Sequence, residues 1–158
     1  MKVFISGSIS ITKLPLSVLK KVDSIISKNF TILIGDAKGI DLTVQKYLLK
    51  KKYENVEVYY AGNNIRHNVG DWKIKEVLAK NNEKGRDLYT LKDIEMAKEA
   101  DYGLMVWDGE SKGTLNNILL MNKLNKKFFV ALDGLIVNNT QIEEIIRFKA
   151  QETQLELF

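Results

Sequence analysis

The chain has 158 residues, 45% of them apolar, with a formal charge of +4, no cysteine and a single histidine. That length suits one domain spanning residues 1–158 with a continuous core, and no apolar run approaches the roughly 18 residues of a membrane span. Without thiolates there is no disulfide and no thiolate zinc site, and with His67 alone an imidazole metal site is not expected, so the reading calls for neither metal nor cofactor.

Met1-Lys2-Val3 leads directly into a strand pattern with no signal-peptide character, so a soluble cytoplasmic protein with no membrane partner is expected. Of the 24 cationic residues only Arg66, Arg86 and Arg147 are arginines. The lysines cluster as Lys20-Lys21, Lys50 to Lys52 and Lys126-Lys127, where they read first as helix-end charges and only second as a nucleic-acid face.

In chain order, Val3-Phe4-Ile5 is a short buried strand ended by Ser6-Gly7-Ser8. Pro15 opens a helix whose apolar positions Val18, Leu19, Val22, Ile25 and Ile26 recur at helical spacing up to Asn29. Thr31 to Ile34 forms a second strand, Gly35 to Asp41 a glycine-bearing corner, and Val44, Tyr47 and Leu48 the next helix. Val56 to Tyr60 is the third strand. From Ala61 to Asp87 the pattern loosens into a long polar connection, either a ligand-covering loop or a surface excursion, with a short helix expected from Asp71 through Trp72 to Lys80. Thr90-Leu-Lys-Asp93 reads as a capping box for a helix to Ala100. Tyr102 to Trp107 is the fourth strand, and Leu115, Ile118, Leu119 and Leu124 mark the helix after it. Phe128 to Leu132 is the fifth strand, and Thr140-Gln-Ile-Glu143 caps a last helix. The apolar end Leu155, Leu157 and Phe158 suggests a homodimer.

Strand and helix alternate in βαβ-sized units, which predicts an α/β fold: a Rossmann-like three-layer sandwich with a mainly parallel five-stranded sheet of order 3-2-1-4-5. In such a sheet ligands sit at the carboxyl ends of the strands where the order reverses, here between strands one and four. Ser6-Gly7-Ser8, Gly35 to Asp41 and Asp108-Gly-Glu-Ser-Lys-Gly-Thr114 then converge on one crevice sized for a nucleotide. Unpaired N–H groups at a helix start favour an anion, which makes Gly113-Thr114 the expected phosphate grip.

The Gly-Asp-Ala-Lys-Gly-Ile-Asp corner, Arg86 ahead of Lys92-Asp93 and Met96, Ala100-Asp101 and Gly113-Thr114 together resemble the SLOG superfamily. That group of Rossmann-like domains includes the lonely-guy phosphoribohydrolases, the single-stranded-DNA-binding DNA-processing protein A and sensors of nucleotide-derived signals. Within it the chain looks most like an uncharacterised bacterial branch carrying Ala-Asp-Tyr-Gly and Trp-Asp-Gly-x-Ser-x-Gly-Thr. The resemblance implies phosphate binding by Gly113 and Thr114 and an arginine, Arg86, near a sugar phosphate. Asn117 departs from the pattern, because the hydrolases and the similar deoxyribosyltransferases carry a glutamate there.

Cleaving an N-glycosidic bond builds positive charge at the anomeric carbon, which a carboxylate stabilises and an asparagine does not. Binding or sensing of a nucleotide-like small molecule therefore ranks first. An N-glycosidase acting on nucleoside 5′-monophosphates, with Glu110 or Asp108 as the substitute carboxylate, ranks second, and single-stranded nucleic-acid binding third. The ligand-binding set is Gly7, Ser8, Gly35, Asp36, Gly39, Asp41, Arg86, Gly109, Ser111, Gly113, Thr114 and Asn117. Each has a plainer alternative. Thr114 reads alternatively as a helix cap alone, Asp36 as a turn residue, Asp41 as first-turn dipole compensation and Arg86 as a surface ion pair. Asp93 reads as a capping acid, and Trp72 stacks on a base only if its segment folds over the crevice.

Overall fold

Runs rich in Val, Ile, Leu and Phe, buried on both faces, make the centre of the sheet. The computed structural model describes residues 1–156, with the side chains of residues 139, 150 and 153–156 left out, so of the apolar end Leu157, Phe158 and the side chain of Leu155 lie outside what is described. In chain order the elements are β1 (Lys2–Gly7), α1 (Leu16–Ser27), β2 (Thr31–Ile34), α2 (Ile40–Lys50), β3 (Val56–Ala61) and β4 (Lys73–Val77). They continue with α3 (Arg86–Glu99), β5 (Tyr102–Trp107), α4 (Lys112–Lys123), β6 (Lys127–Leu132), β7 (Leu135–Val137) and α5 (Asn139–Glu156). One seven-stranded sheet has the order β4-β3-β2-β1-β5-β6-β7, parallel except for the antiparallel β6–β7 pair. Among the described residues no helix is long and apolar enough to cross a membrane.

The expected five-strand order is present as β3-β2-β1-β5-β6, and the sheet is extended by one strand at each edge. Asp133 and Gly134 both have positive φ, 50° and 77°, so a two-residue Asp-Gly turn folds β7 back on β6. On the other edge, residues 73–77 form a strand rather than the expected helix. Asp71, read as its N-cap, has φ 49°, whereas an N-cap needs extended backbone, and the chain leaves that turn to pair with β3 from Glu57↔Lys73 to Ala61↔Val77. Lys73, Lys75 and Glu76 are exposed along this edge, charges that discourage further strand pairing.

Two apolar layers sandwich the sheet. Val18 and Val22 of α1 and Ile40, Val44 and Leu48 of α2 pack on Val3, Ile5, Ile32, Ile34, Leu104 and Val106. On the opposite face Met96 of α3, Ile118 and Met121 of α4 and Ile142 of α5 pack on Phe4, Leu33, Met105 and Val130. This is the α/β three-layer arrangement with the switch in strand order between β1 and β5.

Three helix starts differ from expectation. Gly85, with φ 56°, precedes α3 and its carbonyl accepts from Tyr89 N, so the helix begins ahead of Thr90 and Asp93 is no capping acid. Ser111, not Thr114, flanks α4, which moves Thr114 inside the first turn. For α5 the reciprocal cap is Asn138 with Gln141, two residues before Thr140 and Glu143: Gln141 N donates to Asn138 Oδ1 at 2.8 Å and Asn138 N to Gln141 Oε1 at 2.9 Å.

Trp72 is buried in the first layer, and its Nε1 donates to the Tyr53 carbonyl at 2.8 Å, so it belongs to the core and is not offered to a base. Replacing it with alanine removes both the packing and the hydrogen bond. Trp72→Ala is expected to cost about 3–5 kcal/mol of unfolding free energy in a urea titration; a cost below about 1 kcal/mol would contradict the placement.

Candidate functional site

The carboxyl ends of β1, β2 and β5 meet as the alternation of strand and helix requires. Gly7 ends β1, and a Cβ there would lie 2.5 Å from the Val106 carbonyl oxygen and 2.6 Å from Ile40 Cγ1. Gly39, with φ 78°, brings its α-carbon so close to Ile9 that a Cβ would stand 2.3 Å from the Ile9 α-carbon. These two glycines allow the three corners to touch. The contact has a consequence for ligands, because the Ser8 carbonyl accepts from Ile40 N at 3.3 Å while Asp41 Oδ2 accepts from Ala37 N at 3.1 Å. One N–H at the start of α2 is thereby taken by the Ser8 carbonyl, the Asp41 carboxylate closes the turn ahead of the helix, and the Ile9 backbone lies against Gly39.

The start of α4 differs. No side chain caps it, and first-turn N–H groups have no partner within a helix. A Cβ on Gly113 would meet nothing within 4 Å, so the space beside this first-turn residue is open. Gly109 turns the chain with φ 84°. Asp108 organises the loop below. Its carboxylate accepts from Ser10 Oγ (2.7 Å), Glu110 N (2.9 Å), Ser111 N (2.7 Å) and Ser111 Oγ (3.0 Å). Burial opposes its ionisation, but these donors outweigh burial and hold the carboxyl well below the usual range. Glu110 is exposed. Beneath the corner lie Ser8 and Thr114, 1% and 3% exposed, with hydroxyl oxygens 3.3 Å apart.

Deeper in, five charged groups, Asp36, Asp41, Arg66, Lys92 and Asp93, interact with one another. Asp36, fully buried at the end of β2, accepts from Arg66 Nη2 at 2.6 Å, Arg66 N at 2.9 Å and Lys92 Nζ at 3.3 Å. Burial pushes its carboxyl up, yet the bonds from Arg66 and the charge of Lys92 win and leave it below the usual range. Asp93 is pushed up by burial, against the pull of Lys92 and of a hydrogen bond from Asn117. Asp41 is pushed up to about 6, first by burial, with Asp93 and Asp36 adding to the rise and Lys92 opposing it. Asn117 Nδ2 donates to Ser6 Oγ at 2.8 Å and to Asp93 Oδ2 at 3.1 Å. The carboxylate nearest Asn117 thus comes from α3.

The connection before β4 is anchored here. Gln45 Nε2 donates to the carbonyls of Gly35 (3.0 Å) and His67 (3.1 Å), and its Oε1 accepts from Val69 N (3.1 Å). His67 Nδ1 lies 2.9 Å from the Asp36 carbonyl, and the Arg66 guanidinium stacks 4.3 Å from the Tyr89 ring centroid. Arg66 therefore stands at the cluster, whereas Arg86 is exposed at the first residue of α3 and makes no ion pair among the described residues. Asp101 ties strand starts together: its Oδ2 accepts from Lys2 N, and its own N donates to the Lys2 carbonyl, both at 2.8 Å.

Sequence reading missed Arg66, Gln45 and Lys92. Lys92 carried a usable signal, since it lies four residues before Met96 on the stripe that α3 buries, and a buried ammonium demands a carboxylate.

Stability should record this cluster. An acid with a raised folded-state pKa costs stability as pH climbs from its unfolded value through its folded one, so Asp41 lowers stability between about pH 4 and 6. Asp36, shifted the other way, adds slope only below about pH 4. Urea unfolding of Asp41→Asn at pH 4 and 7 is expected to show the decline reduced by up to about 3 kcal/mol; a decline equal to that of the parent chain would sink the assignment.

No protein-family model matches the chain, and no curated protein matches it. Among solved structures it is similar to DNA processing protein A from Helicobacter pylori, a structure describing that protein's single-stranded DNA binding mode. The TM-score is 0.62 at 18% identity, over 82% of this chain and 64% of that one. The likeness establishes a shared fold, and this chain spans less than two thirds of the other's length.

Proposed function

We propose that the chain is a single SLOG-type domain that binds a nucleotide or nucleotide-derived small molecule in the crevice between β1 and β5, with the phosphate on the first turn of α4. The observation carrying this reading is the contrast between two helix starts. Neither has a side-chain cap, but at α2 the Ser8 carbonyl takes the Ile40 N–H and Ile9 lies against Gly39, while at α4 the space beside Gly113 is open. Its N–H groups and dipole favour a doubly charged phosphate. Ser8 and Thr114, bonded to each other, lie beneath it, and Asn117 with Asp93 forms the polar floor for a sugar.

A second reading, single-stranded nucleic-acid binding, draws support from the fold shared with DNA processing protein A. The same α4 corner would then hold one backbone phosphate. Hydrolysis of a nucleoside 5′-monophosphate by Glu110 or Asp108 has less support, since Asp108 is committed to four hydrogen bonds and Glu110 points from an exposed loop position.

Gly113→Asp separates ligand binding from folding. A carboxylate in the first turn favours the helix by roughly 0.3–1 kcal/mol but repels a phosphate at the same place. Calorimetric titration with a panel of nucleoside 5′-monophosphates should show binding to the parent chain and at least about tenfold weaker binding to Gly113→Asp, with thermal stability unchanged or raised. Equal affinity in both proteins, or none in the parent, rejects the crevice as a phosphate site.

A further inference from the structure

At the opposite end of the sheet, where β1, β5 and β6 begin, the face under α1 is not filled. Val3, Tyr102, Leu104 and Phe129 of the strands, with Ile25 of α1 and Phe30, enclose a cavity of about 310 Å³. Protein interiors are otherwise close-packed, and sites for small molecules start at roughly 300 Å³. The cavity therefore has room for a small ring system and its substituents.

The ring faces along its wall are already engaged. Phe30 and Tyr102 stack on each other, with centroids 6.4 Å and planes 15° apart, and Lys21 Nζ lies 3.8 Å from the Phe129 centroid. What remains for a guest is ring edges and aliphatic groups, a lining that rewards any compact apolar body. The polar side chains of α1 at the cavity are all donors. Lys21, Ser24 and Lys28 follow one another at helical spacing on one face, and no carboxylate contributes to the lining. Ion pairs among the described residues take Lys2, Arg66, Lys73, Lys80, Lys92 and Lys149, so Lys21 and Lys28 have no carboxylate partner there.

We propose that this cavity binds a small amphiphilic anion, a molecule with a compact apolar body and one acidic group. The body fills the space between α1 and the strands, and the acidic group meets Lys21 at the rim, with Lys28 on the same helix face adding to the attraction. Drawing Lys21 away from the half-exposed Phe129 ring is favourable, because an anion is a stronger partner for an ammonium than a solvated ring face. A neutral apolar molecule would leave both charges unanswered. A second copy of the chain is disfavoured by charge, since a two-fold contact sets the same lysines against each other. The cavity lies at the amino ends of the strands and the α4 corner at their carboxyl ends, so the proposal is independent of the crevice.

The test compares two fluorescent probes of nearly the same shape, anilinonaphthalene sulfonate and the uncharged phenylnaphthylamine. The parent chain should bind the sulfonate saturably and at least about threefold more tightly than the neutral probe, the advantage expected of an exposed ion pair. Lys21→Glu should abolish or reverse that preference while the neutral probe still binds. The substitution is at the surface, and a melting curve matching the parent establishes that the variant folds. Gly113→Asp should leave sulfonate binding intact; if it abolishes binding while Lys21→Glu does not, the probe lies in the crevice and the cavity proposal fails. Equal affinity for the two probes in the parent also overturns it. So does a parent dimer in sedimentation that the probes dissociate, since the cavity would then be covered by a second copy.

Discussion

The burial of the Asp36 carboxylate constrains this end of the molecule more than any other interaction. A fully buried carboxylate must be paired and hydrogen-bonded, and its partners come from different parts of the chain: Arg66 from the connection before β4 and Lys92 from α3. Satisfying one charge therefore fixes a loop and a helix against the end of β2. It also explains why the polar stretch after β3 does not hang free, since Gln45 and His67 secure its backbone beside the same strand. Asp41 and Asp93 lie in the same cluster, and burial pushes both of their carboxyls up.

Steric closeness does at the neighbouring corner what charge does here. Gly7 and Gly39 permit backbone approaches that no side chain would tolerate, and the Ser8 to Ile11 loop then lies across the start of α2. Two corners that look alike as sequence consequently diverge in chemistry. One has a loop laid across its helix start, and the other is open beside Gly113. The carboxylate missing at Asn117 is replaced in space, though not in sequence, by Asp93, because α3 and α4 pack side by side on the same face of the sheet.

The two ends of the sheet differ in chemistry. The carboxyl end holds the polar crevice with its uncapped helix, and the amino end holds an aromatic, cationic groove free of carboxylates. They share no residue. The likeness to DNA processing protein A concerns the fold alone.

Much of this architecture was legible in the residues. The apolar runs and their alternation with helical stripes determined the parallel core, its order and the switch between β1 and β5, because burial on both faces leaves few arrangements for such segments. The Asp133-Gly134 turn was legible too, as a local signal whose hairpin went unread. What tertiary structure alone decided was the use of polar residues. Whether Asp93 caps a helix or meets Asn117, whether Trp72 is core or surface, and which of Arg66 and Arg86 reaches Asp36 depend on where helices start and how a loop folds back. An apolar residue needs only burial, which periodicity reports. A charged one needs a particular partner, and that partner lies 30 or more positions away: 30 from Asp36 to Arg66 and 56 to Lys92.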